Sequence, residues 1–389
     1  MGRCQKLAFL LVAFALAPAA WAQRFTLLHA FAGGTDGSYP SGTLFLDPTG
    51  NLYGLTAGGG TVPSCPAEQA PEGCGTVFEV SATGTESVVS KFAGGVGGQN
   101  PEFGALIRDA SGNFYGTTLG GGAYGFGTVF KLTTTHALTV LYSFTGGADG
   151  AHPFNGLTWD AAGNLFGTTF EGGAYGAGVV FELGKGGVET VVHSFTGGTD
   201  DGGYPYCGLI RDPTGNLYGT TTVGGAYDAG VVFELSLEGV ETVLYSFTGG
   251  IDGGYPYAGV ILDRSGNLYG TTVSGGQYGY GIVFEIAATG GEAVLHSFTG
   301  GIDGRNPYAA LVLGGAGYLY GTTTYGGAGA GNIFRMSIAG VLTTVYSFTG
   351  GTDGEYPFGG VVRDAAGNLY GTTGNGGKYG LGTVYKITQ

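Results

Sequence analysis

Histidine is the side chain that most often serves as the base in acid–base and nucleophilic catalysis, and this chain of 389 residues contains five. Three of them share a position where equivalent segments carry tyrosine, which indicates packing in a strand: His29, His193 and His296. His136 falls in a turn between two expected strands. His152 breaks a pattern, because it replaces the tyrosine of a recurring Tyr-Pro dipeptide, so the sequence marks it as a candidate base.

Departures from a repeated pattern are the places where an asymmetric active site would have to be encoded. Three of them carry useful chemistry: Glu102, His152 and Arg305. Glu102 follows Pro101, at a position that is aromatic in most other units. Glycoside hydrolysis usually requires two carboxyl groups, and Glu102 has no acidic neighbour in the sequence. We therefore expect no catalytic residues and keep these three as the candidates if the protein is an enzyme.

An aromatic residue follows proline at equivalent positions of the chain: Phe154, Tyr206, Tyr257, Tyr308 and Phe358. Aromatic rings among hydroxyl groups and carboxylates form a surface that can stack on sugar rings and bond their hydroxyls. We predict that these five residues bind a ligand. The alternative is that the rings fill gaps between neighbouring repeat units and act only in packing.

Aspartate recurs in two sequence contexts. One series lies in Asp-x-x-Gly-Asn segments, where the carboxylate can accept hydrogen bonds from turn amides, and we assign it to the turn: Asp47, Asp109, Asp160, Asp212, Asp263 and Asp364. The other lies in or beside Gly-Gly-x-Asp-Gly segments: Asp36, Asp149, Asp200, Asp252, Asp303 and Asp353. Calcium-binding β-rolls contain similar runs as tandem nonapeptides, a much shorter period. We expect no metal and no cofactor, with calcium at these aspartates as the alternative.

One motif, Gly-Asn-Leu-Tyr-Gly-Thr-Thr, organises all of these positions. Seven exact or near-copies of it begin at Gly50, Gly112, Gly163, Gly215, Gly266, Gly317 and Gly367. Around each copy, short runs of alternating apolar residues are bounded by Gly, Asn or Asp, which predicts four β-strands per unit. In the fourth unit the predicted strands are A (Cys207 to Arg211), B (Leu217 to Thr221), C (Val231 to Leu235) and D (Glu241 to Phe247).

Four strands in a unit of about 40–50 residues are typical of a propeller blade. The sequence therefore predicts an all-β, seven-bladed β-propeller of four-stranded antiparallel blades. The chain opens with a D strand at 25–31 and ends with A, B and C strands at 358–363, 368–373 and 383–387. We predict that the first strand joins the last blade and closes the ring, because closure removes exposed sheet edges.

The first residues have the features of a secretory signal peptide. Arg3 and Lys6 precede an apolar run, and small residues stand at the positions that signal peptidase reads before residue 23. We predict removal of residues 1–22, which leaves a single propeller domain, 23–389, with an insertion at 61–73 and no membrane-inserted segment. Export permits a disulfide between Cys65 and Cys74, whereas Cys207 has no counterpart in other units and is expected to be a buried thiol.

The predicted mature chain is strongly acidic. Loss of Arg3 and Lys6 from the 14 Lys and Arg residues leaves 12 against 28 Asp and Glu, a net charge near −16. Such a surface repels phosphate backbones and anionic lipids. We therefore expect no nucleic-acid partner and no membrane partner, and a monomer that is secreted, in the extracellular space or the periplasm.

Several motifs recur in a fixed order along residues 25–389, among them Val-Phe-Glu-Leu and Tyr-Ser-Phe-Thr-Gly-Gly-x-Asp-Gly-x-Tyr-Pro. In these motifs the chain resembles the GloVer (Gloeobacter–Verrucomicrobia) repeat family of exported bacterial proteins. More distantly, Asp-Pro-Thr-Gly-Asn-Leu-Tyr resembles the A–B hairpin of NHL-type propellers, which implies that the A strands line the central channel. The resemblance implies export and a repeat architecture, and it implies no particular activity.

The sequence as a whole predicts a secreted, non-catalytic binding or interaction module whose partner is an extracellular glycan or protein. Two other classes stay open. A propeller enzyme, a lyase or hydrolase, would place its site on the face that collects the D-to-A and B-to-C loops. A structural component of the cell envelope would have neither a ligand nor a fixed site.

Overall fold

A computed structural model describes residues 23–60, Cys65 and 73–389. Within these residues the chain forms seven four-stranded antiparallel sheets arranged as the blades of a β-propeller, which confirms the predicted fold. Each sheet runs from strand A, next to the channel, to strand D at the periphery. The predicted signal peptide lies outside the described residues, as does most of the predicted insertion at 61–73.

The blades are numbered 1 to 7 along the chain, and strand A of blade 1 begins at Phe45. The A strands are Phe45–Leu46, Ile107–Arg108, Thr158–Trp159, Ile210–Arg211, Ile261–Leu262, Val312–Leu313 and Val362–Arg363. The B strands are Leu52–Thr56, Phe114–Thr118, Leu165–Thr169, Leu217–Thr221, Leu268–Thr272, Tyr318–Thr323 and Leu369–Thr373.

The C strands are as long as the B strands or one residue longer, and the D strands have six or seven residues. The C strands are Thr76–Val80, Thr128–Leu132, Val179–Leu183, Val231–Leu235, Ile282–Ile286, Asn332–Ser337 and Thr383–Thr388. The D strands of blades 1 to 6 are Glu86–Lys91, Leu138–Ser143, Glu189–Ser194, Glu241–Ser246, Glu292–Ser297 and Leu342–Ser347, and that of blade 7 is Arg24–Ala30. A two-residue ribbon in blade 4 pairs Gly202–Gly203 with Val223–Gly224.

Helical structure in the described residues consists of two 3-10 turns, Gly95–Gly97 and Gly315–Gly317. Neither has the length or the apolar character that a membrane-crossing helix needs.

The A strands are shorter than the sequence predicts. In blade 4 the expected strand began at Cys207, but only Ile210–Arg211 pairs with strand B. The residues just before strand A lie very close to the neighbouring blade, which leaves no room for regular hydrogen-bond pairing with strand B. A Cβ on Gly259 of blade 5, for example, would lie 2.4 Å from the Gly208 carbonyl oxygen. Strands B and C of this blade have the predicted bounds.

Buried hydrophobic side chains of the described chain form seven clusters, one at each junction between blades. An aromatic residue directly after strand D packs against a ring in strand C of the next blade. Ring centroids are 5.0–5.4 Å apart in these pairs: Phe31–Phe78, Phe92–Phe130, Phe144–Phe181, Phe195–Phe233, Phe247–Phe284, Phe298–Phe334 and Phe348–Tyr385. The apolar core therefore joins blades to each other.

The residue before each proline of the D-to-A loops links two blades through its backbone. It has a positive φ of 52–58° in every blade: Tyr39, Asn100, His152, Tyr204, Tyr255, Asn306 and Tyr356. Its N–H donates to a carbonyl in the B-to-C loop of the preceding blade, and its own carbonyl accepts from the end of strand B. A left-handed backbone costs a non-glycine residue about 1–2 kcal/mol, so these paired bonds must offset local strain.

Threonine hydroxyls add bonds between blades nearer the channel. Among the described residues, six strand B threonines donate at 2.7–3.4 Å to a carbonyl of the following blade: Thr117 to Asn155, Thr168 to Cys207, Thr220 to Ala258, Thr271 to Ala309, Thr322 to Gly359 and Thr372 to Gly42. In blade 1 the position is Leu55, which lies beside Gly104 instead.

The ring closes through the first strand. Arg24–Ala30 pairs antiparallel with Thr383–Thr388, close to the pairing that the sequence predicts. Blade 7 then meets blade 1 through the same bonds as elsewhere, since the Tyr39 N–H donates to the Leu381 carbonyl at 2.9 Å. Gly382 packs directly against the first proline of the ring, because a Cβ there would lie 2.5 Å from Pro40 Cδ.

The cysteines are placed as predicted. Cys65 and Cys74 form a disulfide with a Cα–Cα distance of 5.5 Å. Cys207 is a buried free thiol, and its sulfur lies 3.2 Å from both the backbone nitrogen and the carbonyl oxygen of Thr220.

We predict that Gly382→Ala destabilises the ring more than Gly380→Ala does. Both glycines have a positive φ, 99° and 76°, but a Cβ on Gly380 meets nothing within 4 Å. Gly380→Ala should cost only the left-handed penalty of about 1–2 kcal/mol, whereas Gly382→Ala adds overpacking of about 1–3 kcal/mol. Denaturant unfolding of the two variants measures the difference, and equal losses would contradict the closure contact described above.

Candidate functional site

The D-to-A and B-to-C loops lie on one side of the propeller, here called the loop face. Backbone bridges between the two loops of one blade hold them together, as in Ala151 with Glu171 and Arg305 with Tyr325. The face is therefore a continuous surface in which each D-to-A loop is bonded to its own blade and to the preceding one.

Six aromatic side chains among the described residues form a closed ring around the channel mouth on the loop face. We call this ring the aromatic collar: Phe103, Phe154, Tyr206, Tyr257, Tyr308 and Phe358. Neighbouring ring centroids are 4.5–6.0 Å apart around the whole circle, in stacked, tilted and edge-on pairs. Below the collar lies a channel cavity of about 250 Å³ lined mainly by small and aliphatic residues of the A segments.

The collar contains the five residues predicted to bind a ligand, and it adds Phe103. The repeat pattern places Glu102 at the position equivalent to Phe154, and this prediction is wrong. Blade 2 has one more residue between its loop proline and strand A than most blades, so Phe103 stacks on Phe154 at 5.0 Å and Glu102 is the additional residue. In blade 1 the position is held by Ser41, which is buried beside the channel.

Three consecutive members of the collar carry hydroxyl groups: Tyr206, Tyr257 and Tyr308. These side chains are partly exposed, and no hydrogen bond between described residues involves their hydroxyls. Burial, with Tyr257 and Glu171 nearby, raises the pKa of Tyr206 to about 12, and burial also raises the pKa of Tyr308. Both phenols are therefore neutral near pH 7 and can donate hydrogen bonds to a ligand.

Further aromatic residues extend the collar across the loop face in two directions. On one side Phe170 contacts Tyr206 at 4.3 Å and Tyr204 at 5.1 Å. On the other side Tyr356 joins Phe358 to Tyr325, with centroids 6.2 and 5.1 Å apart. The aromatic surface is thus elongated, which the sequence did not reveal because Phe170 and Tyr325 occupy different positions in their repeat units.

Arg305 lies at one end of this aromatic surface. Its guanidinium carbon is 5.6 Å from the ring centroids of both Tyr280 and Tyr325, so the cation sits between two aromatic rings. This contact positions the side chain at the edge of the loop face.

His152 occupies one of the left-handed positions described above. Its ring Nδ1 donates to the Leu119 carbonyl at 2.9 Å, and the ring packs edge-on against Phe126. Glu102 is largely buried, and burial raises the pKa of its carboxyl group. Within the described chain, no hydrogen bond, ion pair or ring contact joins any two of Glu102, His152 and Arg305.

The Asp-x-x-Gly-Asn aspartates serve the A–B turns, as their local sequence indicates. In blade 4 the Asp212 carboxylate accepts from the backbone N–H groups of Thr214, Gly215 and Asn216 at 2.7–2.9 Å. Burial opposes ionisation, but these bonds outweigh it and lower the pKa of Asp212. The turn therefore already supplies the hydrogen-bond donors that these carboxylates need.

The other aspartates lie at the outer rim, where junctions between blades bring titratable groups together. We call these groups rim clusters; each contains a D-strand His or Tyr, the following loop Asp, and a Glu that begins strand D of the next blade. Four are formed by described residues: His29, Asp36 and Glu86; Tyr142, Asp149 and Glu189; His193, Asp201 and Glu241; Tyr245, Asp252 and Glu292.

The rim clusters correct one sequence assignment. We expected Asp200 to be the equivalent residue in the fourth unit, but Asp201 faces His193 and accepts from the Thr196 N–H at 2.7 Å. An additional residue in this loop displaces the register by one. The His-to-Asp contact itself was missed, since the sequence indicated only packing for His29, His193 and His296.

The glutamates of the rim clusters lack hydrogen-bond donors for one of their two carboxyl oxygens. One carboxyl oxygen in each is buried and accepts no hydrogen bond among the described residues: Oε1 of Glu86, Glu189, Glu241 and Glu292. Burial first, and then the neighbouring aspartate, raises the pKa of Glu189 and of Glu292 to about 7. Near neutral pH these junctions therefore hold a carboxyl group poised between its charged and neutral forms.

The closed ring of blades and the collar define the class: this is a seven-bladed β-propeller with an aromatic mouth to its channel. The chain belongs to the Gloeobacter/Verrucomicrobia repeat family, whose model matches residues 64–263 and 249–389. None of the curated proteins compared with it is a significant match.

Solved structures resemble the protein at the level of fold. Virginiamycin B lyase from Staphylococcus aureus has a TM-score of 0.60 at 11% identity, covering 94% of this chain and 99% of that one. A luciferin-regenerating enzyme has a TM-score of 0.47 at 14% identity, with 91% and 92% covered.

We predict that the melting temperature falls as the pH rises from about 5 to about 8. The raised pKa values of Glu189 and Glu292 stabilise the fold fully below about 4.5, and that stabilisation is lost as the pH passes about 7. Replacing both residues by glutamine should reduce this pH dependence, because an amide donates to aspartate at any pH. Burial also raises the pKa of Glu86 and of Glu241 to about 7, so these two residues retain the remainder. Glu238→Gln, in an exposed turn, is the control, and an unchanged slope in the double variant would contradict the assignment.

Proposed function

We propose that this protein is an exported, non-catalytic binding module that recognises an extracellular glycan through the aromatic collar. The observation that carries the proposal is the closed ring of six aromatic side chains at the channel mouth. Its members include the predicted ligand-binding residues Phe154, Tyr206, Tyr257, Tyr308 and Phe358.

The chemistry of the collar fits a carbohydrate. One half of the ring consists of tyrosines and the other half of phenylalanines, so hydrogen-bonding and apolar surfaces lie side by side. Sugar rings have an apolar face that packs on aromatic rings and hydroxyls that bond to phenols. An apolar plug between blades requires none of the three hydroxyl groups of Tyr206, Tyr257 and Tyr308.

The shape of the surface favours an oligosaccharide over a single sugar. The collar continues outward through Phe170 and Tyr204 on one side and through Tyr356 and Tyr325 on the other. Arg305 at one end of this surface favours a glycan that carries carboxylate groups, because guanidinium binds carboxylate in a bidentate manner.

Membership of the repeat family and the Cys65–Cys74 disulfide support export, because disulfides persist in oxidising compartments outside the cytosol. The predicted signal peptide, residues 1–22, is consistent with the same location. The strongly acidic composition disfavours nucleic acid as a ligand.

The competing proposal is a lyase or hydrolase on the same face, which the fold of virginiamycin B lyase makes worth testing. The arrangement of the three candidate residues favours binding instead. His152 is engaged with Leu119 and Phe126, Arg305 lies between two tyrosines, and the pKa of Glu102 is raised by burial without a second carboxylate acting on it.

A glycan array probed with the purified protein tests the proposal, and calorimetry with the best oligosaccharide then tests the site. We predict that Tyr257→Ala weakens binding at least tenfold, about 1.4 kcal/mol. Tyr257→Phe keeps the ring and should lose only one hydrogen bond, about 0.5–1.5 kcal/mol. Tyr227→Ala removes a 63% exposed tyrosine on the same face outside the collar and should leave affinity unchanged.

Three results would count against the proposal. These are no binding to any glycan on the array, equal loss of affinity in the Tyr227 and Tyr257 variants, or turnover of the oligosaccharide that Glu102→Gln abolishes. The last result would favour the enzyme.

A further inference from the structure

Two of the rim clusters bring an imidazole and two carboxyl groups together from neighbouring blades. They are His29, Asp36 and Glu86 at the junction of blades 7 and 1, and His193, Asp201 and Glu241 at the junction of blades 3 and 4. In each, one ligand atom from every residue lies within 4.8 Å of the other two. We propose that both clusters bind a divalent transition-metal ion, for which zinc is the probe.

The spacing of the imidazole and the aspartate suits a shared metal. His29 Nε2 is 3.2 Å from Asp36 Oδ2, and His193 Nε2 is 3.3 Å from Asp201 Oδ1. Two ligands bound to one tetrahedral zinc at about 2.0–2.1 Å are about 3.3 Å apart. The pair is thus already at the separation of two metal ligands, and the glutamate offers a third ligand atom within 4.8 Å of both.

The glutamate oxygens point to a missing positive partner. Oε1 of Glu86 and Oε1 of Glu241 are buried and accept no hydrogen bond from any described residue. A buried carboxylate oxygen without a donor is costly. A bound cation would satisfy this oxygen and offset the negative charge that the two carboxylates bring to one place.

The aspartates are held in place before any ion binds. Asp36 Oδ2 accepts from the Ala32 N–H at 2.7 Å, and Asp201 accepts from the N–H groups of Thr196 and Gly202 at 2.7 and 2.6 Å. Such outer bonds orient a metal-ligating carboxylate and reduce the rearrangement that binding requires.

The set of ligands selects the class of metal. One imidazole nitrogen and two carboxylate oxygens suit zinc and similar divalent ions, with a fourth position open to water. Calcium prefers six to eight oxygen ligands, so the calcium alternative raised by the aspartate series is not what this arrangement favours.

Other junctions between blades of this propeller lack one of the three proposed metal ligands and serve as comparisons. Tyr142 and Tyr245 replace the histidine, and their hydroxyls donate to Asp149 and Asp252 at 2.9 and 3.0 Å, which leaves no imidazole ligand. At the junction of blades 5 and 6 His296 faces Asp303 at 3.1 Å, but Leu342 begins the next D strand. These junctions form with tyrosine or leucine at the same positions, so each substitution is compatible with the fold.

The first of the two sites lies at the seam of the ring. His29 belongs to the strand that closes the propeller, and Glu86 belongs to strand D of blade 1. A metal shared between them would join the first strand to its neighbour and stabilise the closed ring by mass action. The proposal does not depend on glycan binding, because the rim clusters and the collar share no residue.

Zinc titration of the purified protein, followed by calorimetry and by melting temperature, tests the proposal. We expect two zinc ions per chain, one for each cluster, and a rise in melting temperature that EDTA reverses. His29→Tyr and His193→Tyr should each remove one ion, and the double variant should bind none. Glu86→Leu, which copies the Leu342 junction, should also remove one.

His296→Tyr is the matched control and should keep both ions, since its cluster lacks the glutamate. Unchanged stoichiometry in His29→Tyr and His193→Tyr would overturn the proposal, as would equal loss in the control. Absence of saturable zinc binding in the folded protein would also overturn it, and the clusters would then be buried ion pairs alone.

Discussion

The left-handed residue before each loop proline is the constraint on which the rest of the molecule depends. At this residue the backbone N–H reaches the preceding blade and the carbonyl reaches its own, so one strained position fixes the angle between two sheets. The bonds use only backbone atoms, which explains why Tyr39, His152 and Asn306 are interchangeable there. A glycine before each C strand leaves room for the following blade's proline.

The same constraint creates the collar. Because each D-to-A loop is bonded on both sides, the aromatic residue that follows the loop proline in blades 3 to 7 lies at the channel mouth each time. Blade 2 shows how strong this requirement is. Its loop carries Glu102 as an additional residue, yet Phe103 adopts a positive φ of 56° and its ring still takes the collar position. The contacts between aromatic rings are therefore kept even though the loop is one residue longer.

The outer rim shows the opposite behaviour, because its junctions tolerate different chemistry. A carboxyl pair forms wherever a loop aspartate meets a glutamate of the next blade, and Leu342 or Phe25 replaces the glutamate at other junctions without loss of the sheet. At Phe25 the ring stacks on Tyr346 at 4.7 Å, so apolar contact substitutes for the charged group. The core is built from aromatic pairs between blades, which leaves the rim free to vary in charge.

The sequence by itself determined the blade count, the bounds of strands B and C in blade 4, the turn role of residues such as Asp212, the Cys65–Cys74 disulfide, and five of the six collar residues. These follow from local signals: alternation, glycine at turns and the repeat period. Only the tertiary structure decided that strand A pairs over two residues, that Phe103 replaces Glu102 in the collar, that Asp201 replaces Asp200, and that Glu86 meets His29. The length of strand A and the position of Asp201 depend on the exact path of each loop, which one additional residue can change. The contacts of Phe103 and Glu86 join different blades, and a pattern within one repeat unit carries no information about the distance to the next.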